Sequence, residues 1–590
     1  MAKLETLPNE ILCEVFQFIT TPQLFHAFDN LNNRFAYLIR NVPLHVEFSR
    51  VTKSSHDVFC RLIASDAEMK KNIISLRLSN DETVGRIEDF VSVISLNHLD
   101  NLRSLTLDQV DEAGVQVLLP MLRSLSKLCY FSFLRKTELE SDCIQSGFGA
   151  PAPQPLDFKS ILSSKHLRTL SLPYFICNPI SIHEALNVTS ATLFYACTND
   201  VLQLFISAPL LKHFRARKLS KPCMQSDAPT NVDVNAVHLK DFLLDWCDVE
   251  CDELEFLLKR IPNLKTLSLS SYYDVDEPVA YFWQKLIESS LEHLRVFNFC
   301  FQFHCKRDSS DGLHLFNGFQ NDFWHEQHHW YTNYTIRRGY SGAIYTIPYS
   351  RSEYYLDLPI DLEDSVLSND PSTFNNVKRL SIRNQQITDN LPYYFQNVQS
   401  LILSKEWYVD KYEFSYVKFL SSIVNTSNVT CLELRPDYFT AQSEFLDLFK
   451  ILPHLSSLHV HRKHLNKFYD DINLCQYLKG LYIKKLDIFV TSYRPSFAPD
   501  RIDIKTCQLF PYLEELCCTY VDQVDVLLLA LQEWSKLSYL KTKRISKDIT
   551  SWIEENASTL KIRIDFESIV SDLAEVQMMI MLSDPNPDSE

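Results

Sequence analysis

The stretch LKTLSL, residues 264–269, places apolar side chains at its first, fourth and sixth positions, and variants of it recur along most of the 590-residue chain. Copies begin at Ile73 (IISLRL), Leu102 (LRSLTL), Leu128 (LCYFSF), Leu167 (LRTLSL), Leu211 (LKHFRA), Leu239 (LKDFLL) and Leu294 (LRVFNF). After a long interval others start at Val377, Val398, Val429, Leu455, Ile483, Leu513 and Leu537. A decayed copy lies near Leu560, and Val188 starts a further one. Most neighbours are about 21 to 31 residues apart, and self-similarity at such a period marks a repeat architecture.

The fourth and sixth positions are two residues apart, so both point to one face of a short strand. Between the strands lie segments such as DELEFLLKRIPN (252–263) and SEFLDLFKILPH (443–454), where apolar residues recur at three and four and a proline stops the helix. One strand and one helix cannot bury their own apolar faces. Stacked copies can, which predicts an α/β chain with a parallel sheet along the inside of a curved solenoid.

Across about residues 71–565 this pattern resembles the leucine-rich-repeat family. It departs from the strictest versions, whose Asn or Cys ladder falls eight residues after the first leucine. Val110, Phe175 and Tyr272 occupy that place here, and Cys247 is an exception. Uneven curvature is the expectation.

From Leu4 the chain reads LETLPNEILCEVFQFITTPQLFHAFDNLNNRFAYLI, which predicts three short helices. Pro8 suits a helix start, and Ile11, Leu12, Val15, Phe16 and Ile19 follow with helical spacing. Thr20-Thr21-Pro22 ends that helix and opens the next, which carries Leu24, Phe25 and Phe28; a third carries Leu31, Phe35, Leu38 and Ile39. So many large apolar residues in so short a segment exceed what it can bury internally, so a partner surface is expected.

The first half of that segment resembles an F-box through Leu4, Leu7, Pro8, Glu10, Ile11, Leu12, Val15, Phe16 and Ile19. The second half departs from the family, since LFHAFDNLNNRFAYL has no tryptophan. The resemblance implies docking onto the Skp-type adaptor of an SCF (Skp–cullin–F-box) ubiquitin ligase. The adaptor-binding residues would be Leu7, Pro8, Ile11, Leu12 and Val15, with Phe16 and Ile19 on the same helix.

Composition narrows the alternatives. A net charge of −16 argues against duplex nucleic acid or anionic membrane as the main partner. MAKLETLPNE lacks the apolar core of a signal peptide, no apolar run reaches spanning length, and the 16 cysteines contain no CxxC pair. Free thiols and a cytoplasmic or nuclear location are expected. No phosphate-binding glycine loop or nucleophile elbow is present, so no cofactor is expected.

One motif invites enzymology. His325, Glu326 and His329 in FWHEQHHWY (323–331) spell H-E-x-x-H, which on a helix presents two zinc ligands beside a general base, and Glu353 stands at a plausible distance for a third ligand. The surrounding segment is aromatic and polar, residues 332–337 and 343–349 alternate as strands do, and RGYSG (338–342) lies between them. That predicts a hairpin more than a zinc-binding helix, and a coincidental motif with no metal.

Counting from the first apolar residue of each repeat, offsets +2, +4 and +6 face away from the core. In the early repeats they are often small and neutral, as at Ser104, Thr106, Thr169, Ser171, Thr266, Ser268 and Ser270. In the later ones they include Arg379, Arg383, Arg435, His459, His461, Lys485, Lys541 and Lys543, opposed only by Glu433, Asp487 and Glu515. A basic face able to hold an acidic or phosphorylated target peptide is the expectation.

The predicted organisation is an F-box over 1–46, a helical linker over 47–70, and repeats over 71–300. An aromatic, His-rich insertion with a possible hairpin follows over 301–376, then repeats over 377–568 and an acidic disordered tail over 569–590. The expected function is that of a non-catalytic substrate receptor of an SCF-type ligase, partnered by the Skp-type adaptor, the cullin-RING ligase and an unknown target protein. The alternative is a repeat scaffold for protein binding without a ligase role.

Overall fold

The computed structural model describes residues 4–16, 18–29, 31–48, 53–80, 86–110, 112–135, 159–162, 164–173, 185–221, 234–274, 279–304, 310–337, 341–358, 371–384, 393–405, 416–435, 443–489, 504–521, 524–534, 537, 539–545, 551–552, 555–556, 562–569 and 575–582. The chain divides into two compact units: Met1–Tyr272 with Ala280–Phe297, and Tyr273–Val279 with Asn298–Glu590. Among the described residues no helix is long and apolar enough to cross a membrane.

The first unit opens with helices α1 (Asn9–Phe16), α2 (Thr21–Phe28) and α3 (Asn33–Asn41). It continues with strands β1 (Leu44–Glu47), β2 (Ile73–Ser79), β3 (Ser104–Val110), β4 (Tyr130–Arg135), β5 (Thr169–Leu172), β6 (Ser190–Ala196), β7 (His213–Ser220), β8 (Asp241–Asp248) and β9 (Thr266–Asp274). Each pairs in parallel with the next, in chain order. Their register puts Leu105, Phe131, Leu170, Ala191, Phe214, Phe242 and Leu267 in one column, all buried. Helices such as Cys251–Leu258 contribute Leu254, Leu257 and Leu258 to the same core.

Two hydrogen-bond devices hold the register. In each, a group just ahead of one strand bonds the corresponding place in the preceding repeat. The first is a carbonyl one residue after the first apolar position, which accepts two successive amides: Lys240 accepts from Lys265 (2.8 Å) and Thr266 (2.9 Å), and Gln399 accepts from Thr430 and Cys431 (2.9 and 3.0 Å). The second is an asparagine one residue before the first apolar position, whose Nδ2 donates backwards to a carbonyl. Asn101 reaches Lys71 (2.9 Å), Asn263 reaches Val237 (2.7 Å), Asn376 reaches Tyr349 (3.0 Å), Asn397 reaches Asn375 (2.9 Å) and Asn428 reaches Gln396 (2.9 Å). An asparagine ladder therefore exists, but at offset −1 and not at +8, where Val110 and Cys247 are simply buried.

In the second unit, Cys300–His304 of β10 (Val296–His304) pair antiparallel with β12 (Ser341–Thr346), which forms a hairpin with β11 (Thr332–Arg337). Parallel stacking then runs through β13 (Glu353–Leu358), β14 (Arg379–Asn384), β15 (Ser400–Lys405), β16 (Cys431–Leu434), β17 (Ser457–His461), β18 (Lys485–Phe489), β19 (Glu515–Val521) and β20 (Tyr539–Ile545). Leu380, Leu401, Leu432, Leu458, Leu486, Leu516 and Leu540 form its first apolar column, each at 0% exposure. Strands β21 (Ile562–Ile569) and β22 (Glu575–Leu582) close it with antiparallel pairing. Both units are stacks of leucine-rich-repeat-type strand–helix modules.

Several expected boundaries move. The sheet starts at β1, so residues 44–47 belong to the repeat stack and the segment read as a helical linker follows a strand; Leu44 and Val46 are its buried positions. Repeat strands also resume earlier, at β13, inside the segment read as an insertion. Tyr354 and Leu356 fill the column places there, and a tyrosine in place of leucine hid the repeat. The tail read as disordered contains β22, whose run EVQMMIML can pair along β21.

The rungs and the hairpin give two tests. Asn397→Ala removes a donor and is expected to cost about 0.5–1.5 kcal/mol in urea unfolding, with unchanged circular dichroism. At Gly342 an added Cβ would lie 2.4 Å from Cζ of Phe303 and 2.9 Å from the Thr335 carbonyl, while at Gly480 it would meet nothing within 4 Å. Gly342→Ala is therefore expected to destabilise by about 1–3 kcal/mol. Gly480→Ala, in the helix Ile472–Gly480, is expected to be neutral or to stabilise by up to about 1 kcal/mol.

Candidate functional site

The N-terminal helices carry apolar residues on two faces, and the structure separates them. Leu12 and Phe16 of α1 are 0% and 3% exposed. Phe16 lies 5.1 Å from Phe28 and 6.2 Å from Phe35 between ring centroids, so these residues form the module's own core. This corrects the expectation that Leu12 and Phe16 meet a partner. Leu7 and Ile19 are half-buried. Pro8, Ile11 and Val15 are exposed, with Leu4 before them and Phe18 after them, the last at 91%. Ile11 and Val15 stand one turn apart on the exposed side of α1, while Leu4 and Pro8 precede that helix and Phe18 follows it, so the exposed apolar stripe runs partly over the flanking turns.

Polar contacts fix that stripe in place. Arg34 of α3 donates to Asn9 Oδ1 (2.8 Å from Nε), to the Glu5 carbonyl (2.6 Å) and to the Leu7 carbonyl (2.6 Å), clamping the turn that leads into α1. Asn32 caps α3 by accepting from the Phe35 amide at 3.0 Å. On the far side the module is locked to the repeats. Thr21 Oγ1 donates to the His45 carbonyl (2.6 Å), Asn72 donates to the Arg40 carbonyl (2.6 Å), Arg40 pairs with Asp29 and Asp66, and Phe25 packs on Phe59 at 5.5 Å. Arg34 carries no sequence signal, because its partners are mostly carbonyls.

The second candidate surface is the exposed sheet face of the second unit. Its cations do not form an uncompensated basic patch. Arg379 lies 4.0 Å from Glu353 and 3.9 Å from Glu433; Arg435 pairs with Glu433 at 2.8 Å, His459 with Asp487 at 3.2 Å and Lys485 with Glu515 at 3.1 Å. Arg379, Arg435, His459 and Lys485 each face a carboxylate on their own strand or a nearby one, a pairing that counting charges strand by strand does not show. Arg383 is exposed on β14. His461 is 3% exposed, because the strand ends there and its Nδ1 caps the helix Arg462–Tyr469 by accepting from the Lys463 amide. The side chains of Lys541 and Lys543 lie outside the described residues.

The first unit has charged partners that the reading as small and neutral missed. His213 lies 2.5 Å from Asp241, and Arg215 holds Asp245 through two nitrogens at 2.8–3.2 Å. The signal was present at the same outward offsets, in HFRARK and DFLLD.

His325 and Glu326 lie in one π-helical turn, Phe323–Gln327, anchored by buried Phe323 and Trp324. His329 follows with a positive φ of 56°, its Nδ1 3.1 Å from the His325 carbonyl. Glu353 lies instead beside Arg379. Among the described residues no three His, Cys, Asp or Glu side chains converge where they could hold a metal ion.

No protein-family model matches the chain, and no curated protein matches it. Among solved structures it is similar to a chain from the crystal structure of the Rad7 and Elc1 complex in yeast, at 14% identity and a TM-score of 0.25, over 55% of this chain and 79% of that one. It is also similar to the leucine-rich repeat-containing protein LegL7 from Legionella pneumophila, at 13% identity and a TM-score of 0.19, over 62% of this chain and 98% of that one. Both likenesses are loose, and neither assigns a family.

Proposed function

We propose that this chain is the substrate-recognition subunit of an SCF-type ubiquitin ligase, an F-box protein whose repeats bind a target protein. The observation that carries the reading is the apolar stripe of Leu4, Pro8, Ile11, Val15 and Phe18, presented outward by a three-helix module whose other face is bonded into the first repeat. Burying each large apolar side chain is worth about 1.5–3 kcal/mol, so such a stripe is costly in water and useful against an adaptor. In this reading the chain performs no covalent step on the target. It raises the target's effective concentration beside a charged ubiquitin-conjugating enzyme in the cytoplasm or nucleus, with the Skp-type adaptor and a cullin as partners.

The exposed sheet faces are the natural place for the target. Their alternating charges suit a partner carrying both signs better than a purely acidic peptide.

The test separates the outer stripe from the core beneath it. Ile11→Glu with Val15→Glu is expected to abolish co-purification of the adaptor and cullin while leaving thermal unfolding within about 0.5 kcal/mol of the parent. Leu12→Ala is expected to cost about 2–5 kcal/mol of stability, because it empties a core position. Undiminished adaptor capture by the double variant would retire the proposal. Capture of the adaptor with no cullin would favour a binding scaffold outside the ligase.

A further inference from the structure

The exposed sheet face of the second unit brings a cysteine, a histidine and an aspartate into one line across three strands. Cys431 opens β16 and is in register with Ser400 on β15 and Ser457 on β17. His459 follows Ser457 by two residues on the same face, and Asp487 is its register partner on β18. Neighbouring parallel strands lie about 4.8 Å apart, so a diagonal neighbour such as His459 can reach Cys431. Register makes the two side chains diagonal neighbours on that face, with Ser457 between them. Asp487 Oδ2 lies 3.2 Å from His459 Nδ1, and Nε2 lies 3.3 Å from Oγ of Ser457, the register partner of Cys431. Cys431 is in no disulfide and is half-buried, and His459 retains 28% side-chain exposure, so small molecules reach both.

We infer that Cys431 is a nucleophilic thiol, served by His459 and oriented through Asp487, whose covalent partners are small disulfides. This goes beyond ligase assembly and rests on the second unit alone. A base held by a carboxylate and pointed at a nucleophile is the general arrangement for activating a thiol. The Sγ of Cys431 attacks one sulfur of R–S–S–R. A new S–S bond to Cys431 forms as the original one breaks, and the departing R–S⁻ takes the proton from His459 Nε2. The sulfur of Cys431 is oxidised as the departing sulfur is reduced, so the disulfide itself is the oxidant.

The electrostatics agree in sign. Burial alone would raise the Cys431 thiol, but the hydrogen bond and charge of His459, with hydrogen bonds from Ser400 and Ser457, bring it below its ordinary value. Burial likewise opposes the imidazolium, yet hydrogen bonds to Asp487 and Cys431 and their charges raise His459 to about 9. The other charges facing the site are Glu433 on β16, Lys485 on β18, Glu515 and Cys517 on β19, and Arg379 on β14 with Arg435. They are largely offset among themselves, as Arg379 and Arg435 share Glu433 and Lys485 holds Glu515. By contrast Cys197 and Cys247 are pushed up to about 11 and about 12, with burial the main cause. A lowered thiol keeps its thiolate as pH falls, so reactivity should persist where an ordinary cysteine loses about tenfold per pH unit.

The experiment treats the full-length protein with glutathione disulfide between pH 6 and 8 and follows each cysteine by mass spectrometry after acid quench. Cys129, half-buried in the first unit, is the internal reference. The expected result at pH 6.5 is mixed-disulfide formation at Cys431 at least tenfold faster than at Cys129, with a flatter pH profile. His459→Gln, and separately Asp487→Asn, should slow Cys431 at pH 6.5 and steepen its profile, with circular dichroism and the Cys129 rate unchanged. Equal rates at the two cysteines in the parent protein would overturn the inference. So would a Cys431 pH profile indifferent to His459→Gln.

Discussion

Everything in this structure depends on one backbone carbonyl per repeat, set just after the first apolar residue, that accepts two amides from the repeat that follows. Because both amides belong to consecutive residues, the acceptor fixes where the next strand begins and not merely that it lies alongside. A slip of one residue would turn every column leucine outward. With the register fixed, Leu401 stands over Leu380 and under Leu432, and the apolar columns become continuous. The asparagines at offset −1 secure the same joint from the side-chain direction. Each repeat is therefore stable only through its neighbours, as in any one-dimensional stack.

The N-terminal module shows what happens at the end of such a stack. A terminal repeat has one neighbour too few, and α2 and α3 supply the missing cover through Phe25, Thr21 and Arg40. The same three helices thus cap the stack while leaving Ile11 and Val15 exposed. Arg34 secures the chain leading into α1 through the Glu5 and Leu7 carbonyls and leaves those apolar side chains uncovered.

Much of the fold was legible because strand period and repeat period are both written in side chains. With few exceptions, such as Ile73, which is itself the first residue of β2, the strands begin two residues after the apolar start read from the pattern: Leu102 precedes β3, Leu264 precedes β9 and Val429 precedes β16. What was not legible depends on pairs of residues far apart in the chain. Ile11, Leu12, Val15 and Phe16 satisfy helical spacing on two adjacent stripes, and only the positions of Phe28 and Phe35 decide which stripe is interior. The cations at 379, 435, 459 and 485 look unbalanced in a list, yet each meets a carboxylate on its own strand or a neighbour. The repeat at β13 was hidden by a tyrosine in the column, and the ladder was sought eight residues downstream while it ran one residue upstream.

The position of that ladder bears on how the chain has tolerated change. Both the asparagine and the double-acceptor carbonyl lie on the approach to each strand, so the bonds that set the register between repeats are confined to a few residues at the entrance. The strand exit and the path to the helix are exempt. Repeat starts lie 21 residues apart between Val377 and Val398 but 31 apart between Val398 and Val429, with the entrance geometry intact at both. Length variation can accumulate on the exit side without disturbing the joints. The chain is a series of standardised couplings with interchangeable spans between them, and grafting a foreign loop after a strand is compatible with that construction where grafting before one is not.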